Sequence, residues 1–252
     1  MGPKRMASED DPPSKRVFLS AEWLNLVMLN YEVQPSLLNC YLPAGTSLDS
    51  FDGKTYVSLV GFRFLRTKLF GLFPVPFHRD FDEVNLRFYV RRKAGNEIRR
   101  GVVFIAEIVP RRAIAATARI VYGENYRHAP MRHRIETPEA GKIAEYEWQV
   151  RGRWCRLSAQ TTGPPAHARE ESLEQFIAEH YWGYSVQPQG TAIEYHVSHL
   201  RWQVWKTSSA SFDGDASAFY GRELGIVFRR PPDSAFVADG SSVLVFKGNR
   251  LQ

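Results

Sequence analysis

The sequence has only two cysteines, Cys40 and Cys155, set far apart in unrelated surroundings. That excludes a disulfide framework and a paired-cysteine zinc motif, and suits two free thiols in a reducing cytosol. Lysine is scarce too, eight against 25 arginines. A Schiff-base enzyme needs a lysine desolvated among apolar or cationic neighbours. Lys54, Lys93 and Lys142 read as turn residues, Lys4 and Lys15 fall near the N-terminus, and Lys68, Lys206 and Lys247 border apolar sequence, so none stands out as a nucleophile. No apolar stretch approaches the roughly 18 residues that span a bilayer. The N-terminus is polar and carries Pro3, Pro12 and Pro13 where a signal peptide would be apolar, and Met6 stands where an N-myristoylation signal needs Ser or Thr. A Gly-rich phosphate loop, a Gly-x-Ser-x-Gly elbow and a His-Glu-x-x-His pair are all missing. These absences point to a soluble, cytoplasmic chain with no membrane partner, no metal and no cofactor.

What is present is ordinary in amount and uneven in kind. A chain of 252 residues with 44% hydrophobic content is long enough to bury roughly 70 to 75% of its unfolded surface. Aromatics make up 13% and favour strands and pocket walls. The formal charge is +6, but the arginines occur in pairs interleaved with acids, without the clustered patch of a nucleic-acid binder. No nucleic-acid partner is expected, and the oligomeric state, a homo-oligomer included, stays open.

Residues 1–16 mix charges, Pro and Ser without apolar periodicity and are expected as a disordered tail. Residues 17–252 are expected as one domain. Strands are expected at 23–33, 56–65, 83–92, 101–109, 131–136, 144–151, 153–160, 192–206, 224–229 and 243–247, the pair 144–151 and 153–160 forming a hairpin about Gly152. Helices are expected at 35–42, at 110–122, and after Ser172, where Gln175 completes a capping box and Leu173, Phe176, Ile177 and Tyr181 recur at helical spacing. The inventory is mainly β (β-rich α+β), barrel-like or sandwiched.

The most informative strand is the run Glu83 to Val90. Alternation puts Val84, Leu86, Phe88 and Val90 on one face and Glu83, Asn85, Arg87 and Tyr89 on the other. A carboxylate, an amide, a guanidinium and a phenol in one row can grip a polar ligand. The same row also suits the solvated outer face of an antiparallel strand. Asn125, Tyr126 and His128 lie in a polar loop after the helix expected at 110–122, a place where sites are built and where surface polar residues are equally at home. His180 and Trp182 belong to a dense aromatic and ionisable stretch, although a lone histidine on an apolar stripe is more often part of the core. His196 and His199, three apart on a strand, face opposite ways, which disfavours a metal pair.

The segments FHRDFDEVNLRFYVRR (residues 77–92), RGVVFIAEIVPRRAIAATARIVYGENYRHAPM (100–131) and EHYWGY (179–184) resemble the YqjF-like bacterial family, a domain of unknown function, over about residues 17–246. That family is in turn remotely similar to the acetoacetate decarboxylase-like superfamily, which implies a cone-shaped β-barrel around a small pocket. By order of elements, the resemblance puts the superfamily's pocket glutamate on Glu83, an arginine of its Arg-Glu-Leu stretch on Arg119, and its imine-forming lysine on Tyr126, with Arg127 beside it. Tyrosine cannot form an imine, so Schiff-base decarboxylation is not expected. The resemblance implies a small-molecule pocket for a carbonyl or carboxylate compound, with Glu83 and Tyr126 as candidate catalytic base and acid. Asn85, Arg87, Arg119, His180 and Trp182 are the candidate ligand contacts. A non-catalytic binding or sensing module would use the same pocket.

Overall fold

The computed structural model describes residues 16–74, 79–111, 125–139, 141–187 and 190–251. The expected N-terminal tail up to residue 15, residues 112–122 of the expected helix, and with them Arg119, lie outside the described residues.

Among the described residues, fifteen strands follow in chain order: β1 (Val17–Val33), β2 (Ser47–Leu48), β3 (Thr55–Leu69), β4 (Phe73–Pro74), β5 (Phe81–Ala94), β6 (Glu97–Val109), β7 (Tyr126–His128), β8 (Met131–Glu136), β9 (Ile143–Val150), β10 (Arg153–His167), β11 (Trp182–Val186), β12 (Ala192–His199), β13 (Gln203–Asp213), β14 (Ser234–Phe246) and β15 (Asn249–Leu251). Seven of them close a ring in the order β12-β11-β6-β5-β3-β1-β14 and back to β12, and β14 continues through β13, β10, β9 and β8. The pairings are antiparallel except where β6 meets β11 and β7. The fold is therefore mainly β with a closed ring of strands, as expected.

Closure needs long strands that bend, and β1 shows how this chain bends them. Its register against β3 slips between Leu24 and Val27, with Asn25 at φ 56°, a β-bulge that sharpens the local twist. Gly240 of β14 pairs with Leu24 and sits at φ 87°, and a Cβ there would stand 1.8 Å from the Trp23 carbonyl oxygen. Only glycine fits that approach.

Both faces of the central strands are buried, which is why β5 is buried at ten consecutive residues from Phe81 to Val90. One face, carrying Val84, Leu86, Phe88 and Val90, packs with Tyr146 and Trp148 of β9 and Leu157 of β10. The other joins Met28, Val60, Phe62 and Tyr89 to Phe176 and Ile177 of the helix Leu173–Ala178. Ser172 caps that helix, its Oγ accepting from the Gln175 N–H. The Gln175 side chain reaches Glu171 N–H rather than Ser172 N–H, so the capping box is displaced by one residue.

Several sequence expectations are corrected. Residues 35–42 form two short 3₁₀ turns, Pro35–Leu37 and Asn39–Tyr41, rather than one helix. Residues 192–206 are not one strand: β12 ends at His199 and β13 starts at Gln203. Residues 224–229 are not a strand either, because Arg222–Val227 is a helix that follows Ser217–Tyr220. There the branched Ile226 and Val227 suggest a strand, but burial of Tyr220, Leu224 and Phe228 on the first core decides in favour of helix. The Gly152 hairpin is present, with Arg151 and Gly152 both at positive φ, 48° and 79°, as a tight β-hairpin turn requires. Among the described residues, no helix is long and apolar enough to cross a membrane.

Candidate functional site

The polar row of β5 is buried. Glu83 and Asn85 are each 2% exposed, Arg87 is 8% exposed, and Tyr89 is 1% exposed. This excludes the solvated outer face that the same alternation allows. Asn85 Nδ2 donates to Glu83 Oε1 at 3.0 Å, and the Tyr126 hydroxyl donates to Glu83 Oε2 at 3.3 Å. The two residues expected as base and acid thus meet, although 43 positions separate them in the chain. Tyr126 is delivered by β7, which runs parallel to the end of β6 and sets Tyr126 beside Glu107.

Glu107 is a second carboxylate on this face, 2% exposed and paired in register with Asn85. Simple alternation from Val102 would turn it away. The register of β5 on β6 slips between the Leu86–Ala106 and Arg87–Phe104 pairs, and this bulge changes the parity of β6 so that Glu107 and Val109 share the face of Val102. The signal in the sequence was a lone glutamate in the apolar run VVFIAEIV.

The far end of the row is a different environment. The Tyr89 hydroxyl lies 2.5 Å from Ser58 Oγ, which donates to Asn30 Oδ1 at 2.6 Å, while Asn30 Nδ2 donates to Ser234 Oγ at 3.1 Å. With its one proton given to Asn30, Ser58 must accept from Tyr89. Arg87 Nη2 donates to the Ile177 carbonyl at 3.2 Å, and its guanidinium lies over the Tyr89 ring.

The His180 ring rests on Tyr89 and Phe176, with centroids 4.7 and 5.3 Å away. Its Nε2 is 3.7 Å from Asp49 Oδ2, too long for a hydrogen bond. Burial lowers the His180 pKa to about 4, so the imidazole is neutral at pH 7. Burial pushes the Asp49 carboxyl up, but its contacts with His180 and Arg100 outweigh this and hold it below the usual range. The Arg100 Nε lies 2.7 Å from Asp49.

The structure therefore gathers Glu83, Asn85 and Tyr126 at one end of a strand row, with Arg87 further along and His180 beyond it. Trp182 does not join them. It pairs with Gly101, packs with the first core and lies under the Arg99 guanidinium, 4.3 Å away. Arg99 in turn shares the buried Glu194 with Arg92 and with the Tyr184 hydroxyl. Among the described residues, no group of three His, Cys, Asp or Glu side chains is placed to hold a metal. His196 packs on Trp182 and Phe246, and His199 stacks on Trp202.

Chemically, the Glu83 end offers a carboxylate able to accept a proton, a phenol able to give one, and an amide that fixes the carboxylate's orientation.

Comparison with known proteins agrees with the geometry at the level of fold. The family of uncharacterized conserved proteins DUF2071 matches residues 20–242. The uncharacterized protein YqjF of Bacillus subtilis is 22% identical over 159 residues, 63% of this chain and 64% of the relative, so the chain spans about two thirds or less of that relative's length. The fold is similar to that of acetoacetate decarboxylase from Legionella pneumophila, with a TM-score of 0.64 at 14% identity over 100% of this chain and 92% of that one. An acetoacetate decarboxylase-like enzyme from Sphingomonas wittichii aligns with the same TM-score at 15% identity, over 98% and 96%. The enduracididine biosynthesis enzyme MppR, solved in complex with pyruvate, aligns with a TM-score of 0.63 at 15% identity, over 96% and 91%.

Proposed function

The chain belongs to the DUF2071 family of uncharacterized conserved proteins, and we propose that it binds a small carbonyl or carboxylate compound on the Glu83 face and acts on it by acid/base chemistry. The observation that carries this reading is the buried hydrogen bond from Tyr126 to Glu83 with Asn85 on the other carboxylate oxygen. A buried carboxylate that accepts from a phenol and an amide is an arrangement expected where a proton must be moved. Glu83 would take the proton from the carbon next to a carbonyl. Tyr126, turning its hydroxyl from Glu83 to the carbonyl oxygen, would supply one there, giving the enol. An arginine would hold the carboxylate of an acidic ligand. That a fold neighbour has been solved with pyruvate supports the ligand class.

The rest of the reading is of the same kind. Residues 17–252 would act as one unit, with residues 1–16 a tail, and Arg119 would be a further ligand contact. Cys40 and Cys155, both free thiols, fit a cytoplasmic location. The interleaved charges give no footing for nucleic acid.

A thermal-shift screen of oxo acids, hydroxy acids and apolar carboxylates, on wild type beside Glu83→Ala, tests the site. A ligand at a hundred times its Kd adds about 2.7 kcal/mol, roughly 5 to 11 °C for a chain of this size. The expected result is a shift in wild type that the variant loses; a flat screen on folded protein would count against the pocket. Borohydride reduction in the presence of pyruvate is expected to leave the intact mass unchanged, since tyrosine stands at position 126. A trapped adduct on any lysine would show an imine mechanism instead.

A further inference from the structure

Arg87 is a buried cation that lacks a counter-ion among the described residues. The other buried or half-buried arginines of the central strands have one: Arg92 and Arg99 share Glu194, and Arg63 lies 3.7 Å from Asp82. Arg87 instead gives Nη2 to the Ile177 carbonyl and to Met28 Sδ at 3.8 Å, and its Nε has no partner among the described residues. Burying a charge without an opposite charge is unfavourable, and burying a donor without an acceptor adds to that.

The neighbouring imidazole is short of hydrogen bonds too, its nearest carboxylate being that of Asp49, 3.7 Å from Nε2 and already bound by Arg100. His180 packs on the Tyr89 ring that Arg87 also covers, its side chain is 2% exposed, and neither ring nitrogen has a hydrogen-bond partner among the described residues. Two unmatched donors, Arg87 Nε and the N–H of the neutral imidazole, converge on one stretch of the face that carries Glu83. Such a set is completed by an anion with several acceptor oxygens.

We propose that Arg87, with His180 beside it, is the carboxylate subsite of the Glu83 pocket, and that the ligand is an oxo acid whose carboxylate and carbonyl are separated by two or more carbons. This rests on the reading of Glu83 and Tyr126 as the reacting end. The separation follows from the strand: residues 83 and 87 lie on one face, and their Cα atoms are roughly 13 Å apart at about 3.3 Å per residue. Side chains leaning together shorten that span. A 2-oxo acid, whose carboxylate and carbonyl are directly bonded, reaches both ends less well than a 4-oxo acid does.

Calorimetric titration of the full chain with 4-oxopentanoate, its uncharged amide and pyruvate decides it. Wild type is expected to bind 4-oxopentanoate more tightly than pyruvate, and roughly 10- to 100-fold more tightly than the amide, the worth of a charge-assisted hydrogen bond. Arg87→Gln is expected to abolish the preference for the acid over the amide, and Arg87→Lys, which keeps the charge, to retain part of it. Equal binding of acid and amide by wild type, or an acid preference that survives in Arg87→Gln, would refute the subsite while leaving the pocket standing. Tighter binding of pyruvate would refute the separation. If neither charged nor neutral oxo compounds bind in a Glu83-dependent way, the pocket itself is refuted and the subsite with it. The comparison of acid and amide on wild type holds even if a variant fails to fold.

Discussion

Glu83→Gln is expected to lower turnover by roughly 10² to 10⁴-fold while leaving ligand affinity nearly unchanged. The amide keeps the size of the side chain and an oxygen that can accept from Asn85 or Tyr126, whose bonds to Glu83 are 3.0 and 3.3 Å long. It cannot take up a proton. Parallel measurement of kcat and of the ligand-induced Tm shift separates the alternatives. Binding that survives with turnover lost identifies Glu83 as the base. Loss of both makes it a binding group, and ligand binding without any wild-type turnover makes the protein a binding or sensing module.

The second large effect concerns pH. His180 has a pKa of about 4 in the folded chain because it is buried, against about 6.5 when unfolded. Between those values the unfolded chain holds more protons, so stability is complete above pH 6.5 and falls as the pH drops toward 4. A difference of this size is worth about 3 kcal/mol at most. The groups that face the ring are Asp49, Arg100 and Arg87, with Asp49 opposing the shift and the arginines reinforcing it. His196 and His199 are also lowered by burial and add a background slope of the same sign. Urea unfolding of wild type and His180→Phe from pH 7.5 to 4.5 is expected to show a clearly shallower decline in the variant. Equal slopes would mean that His180 is protonated in the native state at acidic pH without penalty.

Much of this was legible in the sequence wherever local pattern and burial agree. The alternation of Glu83 to Val90 gave the correct two faces because β5 runs without a bulge through that stretch. The paired glycine-containing turn at Arg151 and Gly152 set the β9–β10 hairpin by φ alone. What the sequence did not reveal depends on tertiary events. Glu107 reaches the site only through a parity change in β6, and a bulge of one residue leaves no mark in composition. The spacing puts His180 on a helical stripe, but the helix stops at Ala178 and the chain after it places the ring on Tyr89. The density of aromatics in EHYWGY suggested one site for His180 and Trp182. In a strand the two would share a face, but β11 begins only at Trp182, so the two residues enter different cores. Residues 224–229 carry strand-forming side chains, and their packing on Tyr31 and Phe212 outweighs that preference.

The buried row of Glu83, Asn85 and Arg87 is proposed as a ligand site rather than a filled core. A crystal structure of the full chain grown with saturating 4-oxopentanoate tests it most directly. Density for the acid is expected along β5, with its carboxylate on Arg87 and its carbonyl between Glu83 and Tyr126. Side chains closing that space, with the acid bound elsewhere or absent at a concentration that shifts Tm, would contradict it.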